Sequence, residues 1–130
     1  MKNINDVLKN MEYFRSLHGA EESLIQDAEY SLNLKFSNEY KEYLREYALA
    51  SANGHELTGL CKSKRLNVVH VTKEEKENNF MIPNDFYVVE RLDIDNIIIW
   101  QNEKGYIYES TKENKPKKIN NSLIEYLINV

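Results

Sequence analysis

Residues 86–109 read FYVVERLDIDNIIIWQNEKGYIYE, and this stretch decides the fold class. It divides into three short runs rich in β-branched and aromatic residues, 86–91, 96–100 and 105–109. Such runs, bounded by Asp, Asn and Gly, read as strands. The five residues Gln101, Asn102, Glu103, Lys104 and Gly105 are short enough to join the last two as a hairpin. The turn at Pro83, Asn84 and Asp85 marks the start of the first strand.

Upstream the period changes from two to about 3.6. Ile4, Val7, Leu8, Met11 and Phe14 predict an amphipathic helix over 3–16, with Gly19 just past its end. Leu24, Ile25, Ala28 and Leu32 predict a second helix over 21–32, with Glu21 and Glu22 in its first turn. Ser37 is an N-cap for a third helix over 38–51 that buries Tyr40, Tyr43, Leu44 and Tyr47. Asn53-Gly54 supplies the left-handed backbone that a helix exit or turn needs. Residues 56–60 are a strand candidate, and 67–71 fit a strand or a helical turn. Thr72 looks like the cap of one or two helical turns over 73–79, and Ser122 caps a closing helix with Leu123, Ile124, Leu127 and Ile128 inward.

Helices first, then a strand meander, then one helix make an α+β fold with a mostly antiparallel central sheet flanked by helices. At 130 residues the chain reads as a single domain, 1–130, able to bury its own core.

Composition narrows the function. Seventeen basic and 21 acidic side chains leave a formal charge of −4. All of it resides in residues 1–60, which hold 6 basic and 10 acidic groups. No basic stripe follows the chain, so nucleic acid is not the expected partner. Lys112, Lys115, Lys117 and Lys118 read as a solvated loop around Pro116. The single cysteine, Cys61, forms no internal disulfide, and residues 1–6 lack the apolar stretch of a signal peptide. No apolar run reaches the roughly 20 residues that span a bilayer. The reading is a cytoplasmic protein without membrane contact, and composition sets no oligomeric state.

The search for chemistry is mostly empty. His18, His55 and His70 stand apart from one another and from Cys61, with no metal-ligand spacing, so neither a metal nor a cofactor is expected. His55 and Glu56 are neighbours, but neighbours on an extended chain point to opposite faces. No Gly-x-Ser-x-Gly elbow or phosphate loop occurs. A Cys61–His70 thiol dyad is outweighed by an inert cysteine beside an unrelated histidine. Asp93 and Asp95 form a paired carboxylate suited to acid–base work or a weak cation site, but a polar turn explains them more simply. One set remains without a structural need. Glu90, Asp93, Asp95, Glu103 and Glu109 interleave with Tyr87, Trp100, Tyr106 and Tyr108. Acids among aromatics suit a protein interface, where tyrosine and tryptophan anchor and carboxylates steer a basic partner. Glu90, Asp93, Asp95, Trp100, Glu103, Tyr106 and Glu109 are therefore the candidate partner-binding residues, and no enzyme is expected.

The order of motifs carries a resemblance. Ala28-Glu29, Leu34-x-Phe36-Ser37, Tyr40-x-x-Tyr43-Leu44, Asn53-Gly54 and Gly59-Leu60 follow one another, and the hairpin 102–108 and the helix 122–127 come later. This series resembles the SUKH superfamily, the Smi/Knr-type proteins that include many bacterial immunity proteins. Ser37 departs from the pattern, which has a proline there. The resemblance implies an α+β fold, no shared catalytic constellation, and a role in binding and neutralising a cognate toxin, often a nuclease. The alternative is a regulatory or scaffold module that recruits a protein without inhibiting it.

Overall fold

The computed structural model describes residues 3–128. In chain order the elements are α1 (Ile4–Lys9), β1 (Arg15–Ser16), α2 (Glu22–Leu32), α3 (Asn38–Tyr47), β2 (Ala50–Ala52), β3 (His55–Glu56), α4 (Val68–Asn78), β4 (Tyr87–Arg91), β5 (Ile98–Gln101), β6 (Ile107–Ser110), β7 (Lys117–Asn120) and α5 (Leu123–Ile128). The strands make two antiparallel sheets, β1-β2-β3 and β4-β5-β6-β7. A bridge between Leu57 and Glu90 and the bond from Thr58 N to Val89 O join them. The α+β architecture with antiparallel pairing is the one expected.

Both faces of the larger sheet are covered. Tyr87, Val89, Ile99 and Ile107 pack into the main core with Phe36, Tyr40, Tyr43 and Leu44. Val88, Ile98 and Trp100 point the other way and pack with Val71 of α4, Ile82 and Phe86. The buried phenols are satisfied. Tyr40 Oη lies 2.9 Å from Thr58 Oγ1, and Tyr43 Oη donates to Thr58 O at 2.8 Å. Ser37 caps α3 through a bond from Tyr40 N at 3.0 Å, as expected. Its own N–H donates to Tyr87 Oη at 2.9 Å, a bond that a proline has no hydrogen to make.

Several boundaries differ from the expectations. The first helix stops at Lys9, because Asn10 Nδ2 turns back to Asp6 O and Tyr13 adopts φ 60°. Met11 and Phe14 still reach the core, but from a turn that leads into β1. Gly19 therefore does not close that helix. It lies against the end of α3, where an added Cβ would sit 1.8 Å from Arg45 O. Leu24 is 51% exposed, and Glu29 takes the inward place on α2, accepting a bond from Phe36 N. The third helix ends at Tyr47, since Ala48 takes φ 62° and 50–52 pair as β2. Asn53 and Gly54, at φ 48° and 82°, form the two-residue turn between β2 and β3. Residues 68–71 are helical, because Asn67 Oδ1 accepts from Val69 N and starts α4. Lys117 and Lys118 are not loop residues but part of the edge strand β7. Ile128 faces outward.

Candidate functional site

A β-bulge builds the most connected polar site. Tyr87 and Val88 pair with Gln101 and Trp100, but Glu90 pairs with Ile99, so Val89 is an extra residue. An extra residue re-aims the side chain that follows it. Glu90 is thereby only 2% exposed. Its Oε1 accepts a bond from Tyr126 Oη at 2.7 Å and lies 2.9 Å from His55 Nδ1. Its Oε2 accepts from Glu56 N at 2.8 Å. The His55 and Tyr126 rings meet edge-on at 5.4 Å. Burial, then the nearby Glu90 charge, push the Tyr126 phenol well above its usual range. One carboxylate thus ties β3, β4 and α5 together, and neither lysine nor arginine pairs with it among the described residues.

Beside this cluster lies an open groove of about 430 Å³, with Tyr13, Arg15, His55, Glu90 and Asp93 among its lining residues. Next to it the charges are already paired. Arg91 binds Glu74 at 2.6 Å and Glu75 at 3.2 Å, and Arg65 binds Glu56 at 2.6 Å. Asp93 and Asp95 have no ion-pair partner among the described residues.

The residues expected to contact a partner do not form one patch. Asp93 and Asp95 are exposed on the β4–β5 connection, with Ile94 between them 68% exposed. Asp95 and Asn96 have φ 56° and 57°, and Ile97 N donates to Ile94 O at 3.2 Å. Glu109 lies at the same end of the sheet, half-buried, opposite Ile99 and Lys117. Glu103 is exposed at the far end of β5, and Tyr106 beside it lies half-buried, with Lys118 Nζ 3.8 Å from its ring centroid. Two expectations need correction. Glu90 is an interior ligand of His55 and Tyr126, not an exposed acid. Trp100 is 1% exposed on the opposite face, and its Nε1 donates to Ser110 Oγ at 2.8 Å, so it is core rather than an anchor.

His55 and Tyr126 were missed because their partner lies 35 and 36 residues away, beyond the reach of any local spacing. The Cys61–His70 dyad is not assembled. Cys61 Sγ faces Ser63 O, burial pushes its thiol up, and His70 Nε2 lies 3.5 Å from Glu74. A thiol raised in this way is less nucleophilic. Among the described residues no three His, Cys, Asp or Glu side chains are grouped to hold a metal ion. No helix among them is long and apolar enough to cross a membrane.

A family model named SUKH_6 and described as SMI1-KNR4 cell-wall matches residues 22–127. The chain belongs to the SUKH superfamily. A crystal structure of a protein from Pseudomonas syringae pv. tomato has the same fold, with a TM-score of 0.76 at 13% identity, over 98% of this chain and 97% of that one. No curated protein matches this SUKH chain significantly. The SUKH family is associated with immunity proteins, which are typically non-enzymatic and act on a protein partner.

Proposed function

We propose that this SUKH protein is a cytoplasmic bacterial immunity protein that binds a cognate toxin and neutralises it by masking the toxin's active site. The family match over residues 22–127 carries this reading. The side-chain chemistry supports it. The polar clusters around Glu90, Thr58 and Tyr87 close on themselves and hold elements together, as a binding scaffold requires. Unpaired carboxylates on an exposed hairpin suit a basic partner such as a nuclease. Co-expression with the product of the adjacent reading frame tests the proposal. Restored growth and a co-purifying complex are expected; toxicity without protection and no complex would sink it. A second reading has one observation in its favour. The matched family's description reads cell-wall rather than immunity, which fits a regulatory or scaffold module that recruits its partner without inhibiting it. A stable complex whose partner keeps full activity would select that reading.

A further inference from the structure

Two strand edges stay free among the described residues, β1 and β7, since the Leu57–Glu90 bridge joins β3 to β4. β7 presents exposed Lys117 and Lys118, which discourage strand pairing. β1 carries no lysine. Arg15 pairs with Ser51 and Ser16 with Ala50, and Leu17 N donates to Leu49 O at 2.9 Å. Bonded and non-bonded pairs alternate along an antiparallel ladder. Leu17 belongs to a bonded pair, so the N–H and C=O of Ser16 point away from β2. Ser16 is exposed, and no other hydrogen bond among the described residues reaches its backbone. The backbone groups of Phe14 and His18, two positions to either side, are likewise unbonded among those residues.

Side chains beside this edge add a recognition surface. Arg15 and Leu17 project from the same face of the strand. That face holds a hollow of about 220 Å³ whose lining includes Leu17, Leu49 and Leu66, with Arg15 and Glu56. Leu17 is 51% exposed, and Leu49 and Leu66 are half-buried, so the floor is apolar and open to water. Arg65 already binds Glu56 at 2.6 Å, whereas Arg15 has no ion-pair partner among the described residues. The free backbone fixes the class of occupant: an extended chain answers a row of unpaired N–H and C=O groups. Side chains fix its sequence. Residues directly opposite on an added antiparallel strand face Leu17 and Arg15, which calls for an apolar residue and an acidic one. A second copy of this chain does not supply them. Two-fold pairing centred on Ser16 sets Arg15 opposite the other copy's Leu17 and brings it no carboxylate.

We propose that β1 is a docking edge for an extended segment of a partner protein, which adds as a fourth antiparallel strand beside Ser16 and sets an apolar residue against Leu17 and an acidic residue against Arg15. The inference deepens the immunity reading by naming the surface and the chemistry of what it binds, and it rests on that reading only for the partner's identity.

Two measurements test it. In the first, the ¹⁵N-labelled protein is titrated with the end-blocked peptide Thr-Leu-Thr-Glu-Thr, whose central threonine stands opposite Ser16. Amide shifts confined to residues 14–18, 49–51 and 66 are expected. Proline in place of the central threonine removes the N–H that donates to Ser16 O and should abolish them. Arg15→Glu should weaken binding about threefold, and a peptide with lysine for glutamate should recover it on that variant. Shifts centred elsewhere, none at large peptide excess, or equal shifts with the proline peptide would overturn the proposal. In the second, affinity for the product of the adjacent reading frame, where that product is toxic, is compared between the wild type and Leu17→Asp. A loss of about tenfold or more is expected, as for an anchor residue; unchanged affinity would remove β1 as the interface. Sedimentation of the free protein as a dimer that Leu17→Asp dissolves would give the edge to a second copy and overturn the proposal as well. Arg15 and Leu17 are exposed, so these variants retain the fold, and buried Trp100 reports this by its fluorescence. The arms separate the two claims. Peptide shifts along β1 without a toxin complex leave the docking edge standing and remove the immunity reading. A toxin complex indifferent to Leu17→Asp does the reverse.

Discussion

Replacing Glu90 by alanine strips three donors of their acceptor at once: Tyr126 Oη, His55 Nδ1 and Glu56 N. A buried donor left without a partner costs about 1–3 kcal/mol. Tyr126 and His55 are half-buried and Glu56 is exposed, so water relieves part of the penalty. The net loss is therefore about 3 kcal/mol rather than the full sum. With a urea dependence of about 1.5–2 kcal/mol per molar for a domain of this size, the midpoint should fall by about 1.5–2 M. Trp100, the single tryptophan and fully buried, reports the transition by its fluorescence. Tyr126→Phe alone removes one bond to a charged acceptor and should cost about 1.5 kcal/mol. Added to Glu90→Ala, it should cost little more, because the partner is already gone. A loss below about 1 kcal/mol for Glu90→Ala, or fully additive effects, would refute the view that this carboxylate ties three elements together.

Ser37→Pro removes both the cap to Tyr40 N and the N–H that reaches Tyr87; urea unfolding should show a loss of about 2 kcal/mol or more. Gly19→Ala drives a methyl group into Arg45 O and should cost about 1–3 kcal/mol in the same assay. Burial lowers the Lys76 ammonium from 10.5 to about 8, against an opposing pull from Asp85. Between those values the unfolded chain holds the extra proton, so stability should rise from pH 8 towards pH 10, and Lys76→Met should flatten that rise. Above pH 10 the sign reverses. Burial holds Tyr40, Tyr43, Tyr87 and Tyr126 protonated in the fold while the unfolded phenols ionise near 10.0, so stability should fall in unfolding curves taken across that range.

The helices were legible where apolar positions recur on one face, as on α3, whose Tyr40, Tyr43, Leu44 and Tyr47 are all buried. The hairpin β5–β6 was legible from β-branched and aromatic runs around a short polar turn. β7 was hidden because it is an edge strand bearing Lys117 and Lys118, residues that discourage edge pairing and read as loop. The first helix was overread because Met11 and Phe14 keep helical spacing while a turn delivers them to the core. The candidate site was less legible than the fold. β4 and β5 are buried on both faces, so alternation loses its inside–outside meaning there. Glu90 and Trp100 therefore looked available when neither is. The bulge at Val89, which aims Glu90 inward, leaves no local signature in the sequence.

The central claim is action by stoichiometric contact rather than by turnover. It is tested most directly by titrating the product of the adjacent reading frame, where that product is toxic, at fixed concentration and activity, with increasing amounts of this protein. The account predicts a linear loss of toxin activity that reaches zero near one equivalent and does not deepen with time. Inactivation that proceeds with time at a small fraction of an equivalent would mean catalysis, and full toxin activity at a large excess would mean no neutralising contact; either result contradicts the account.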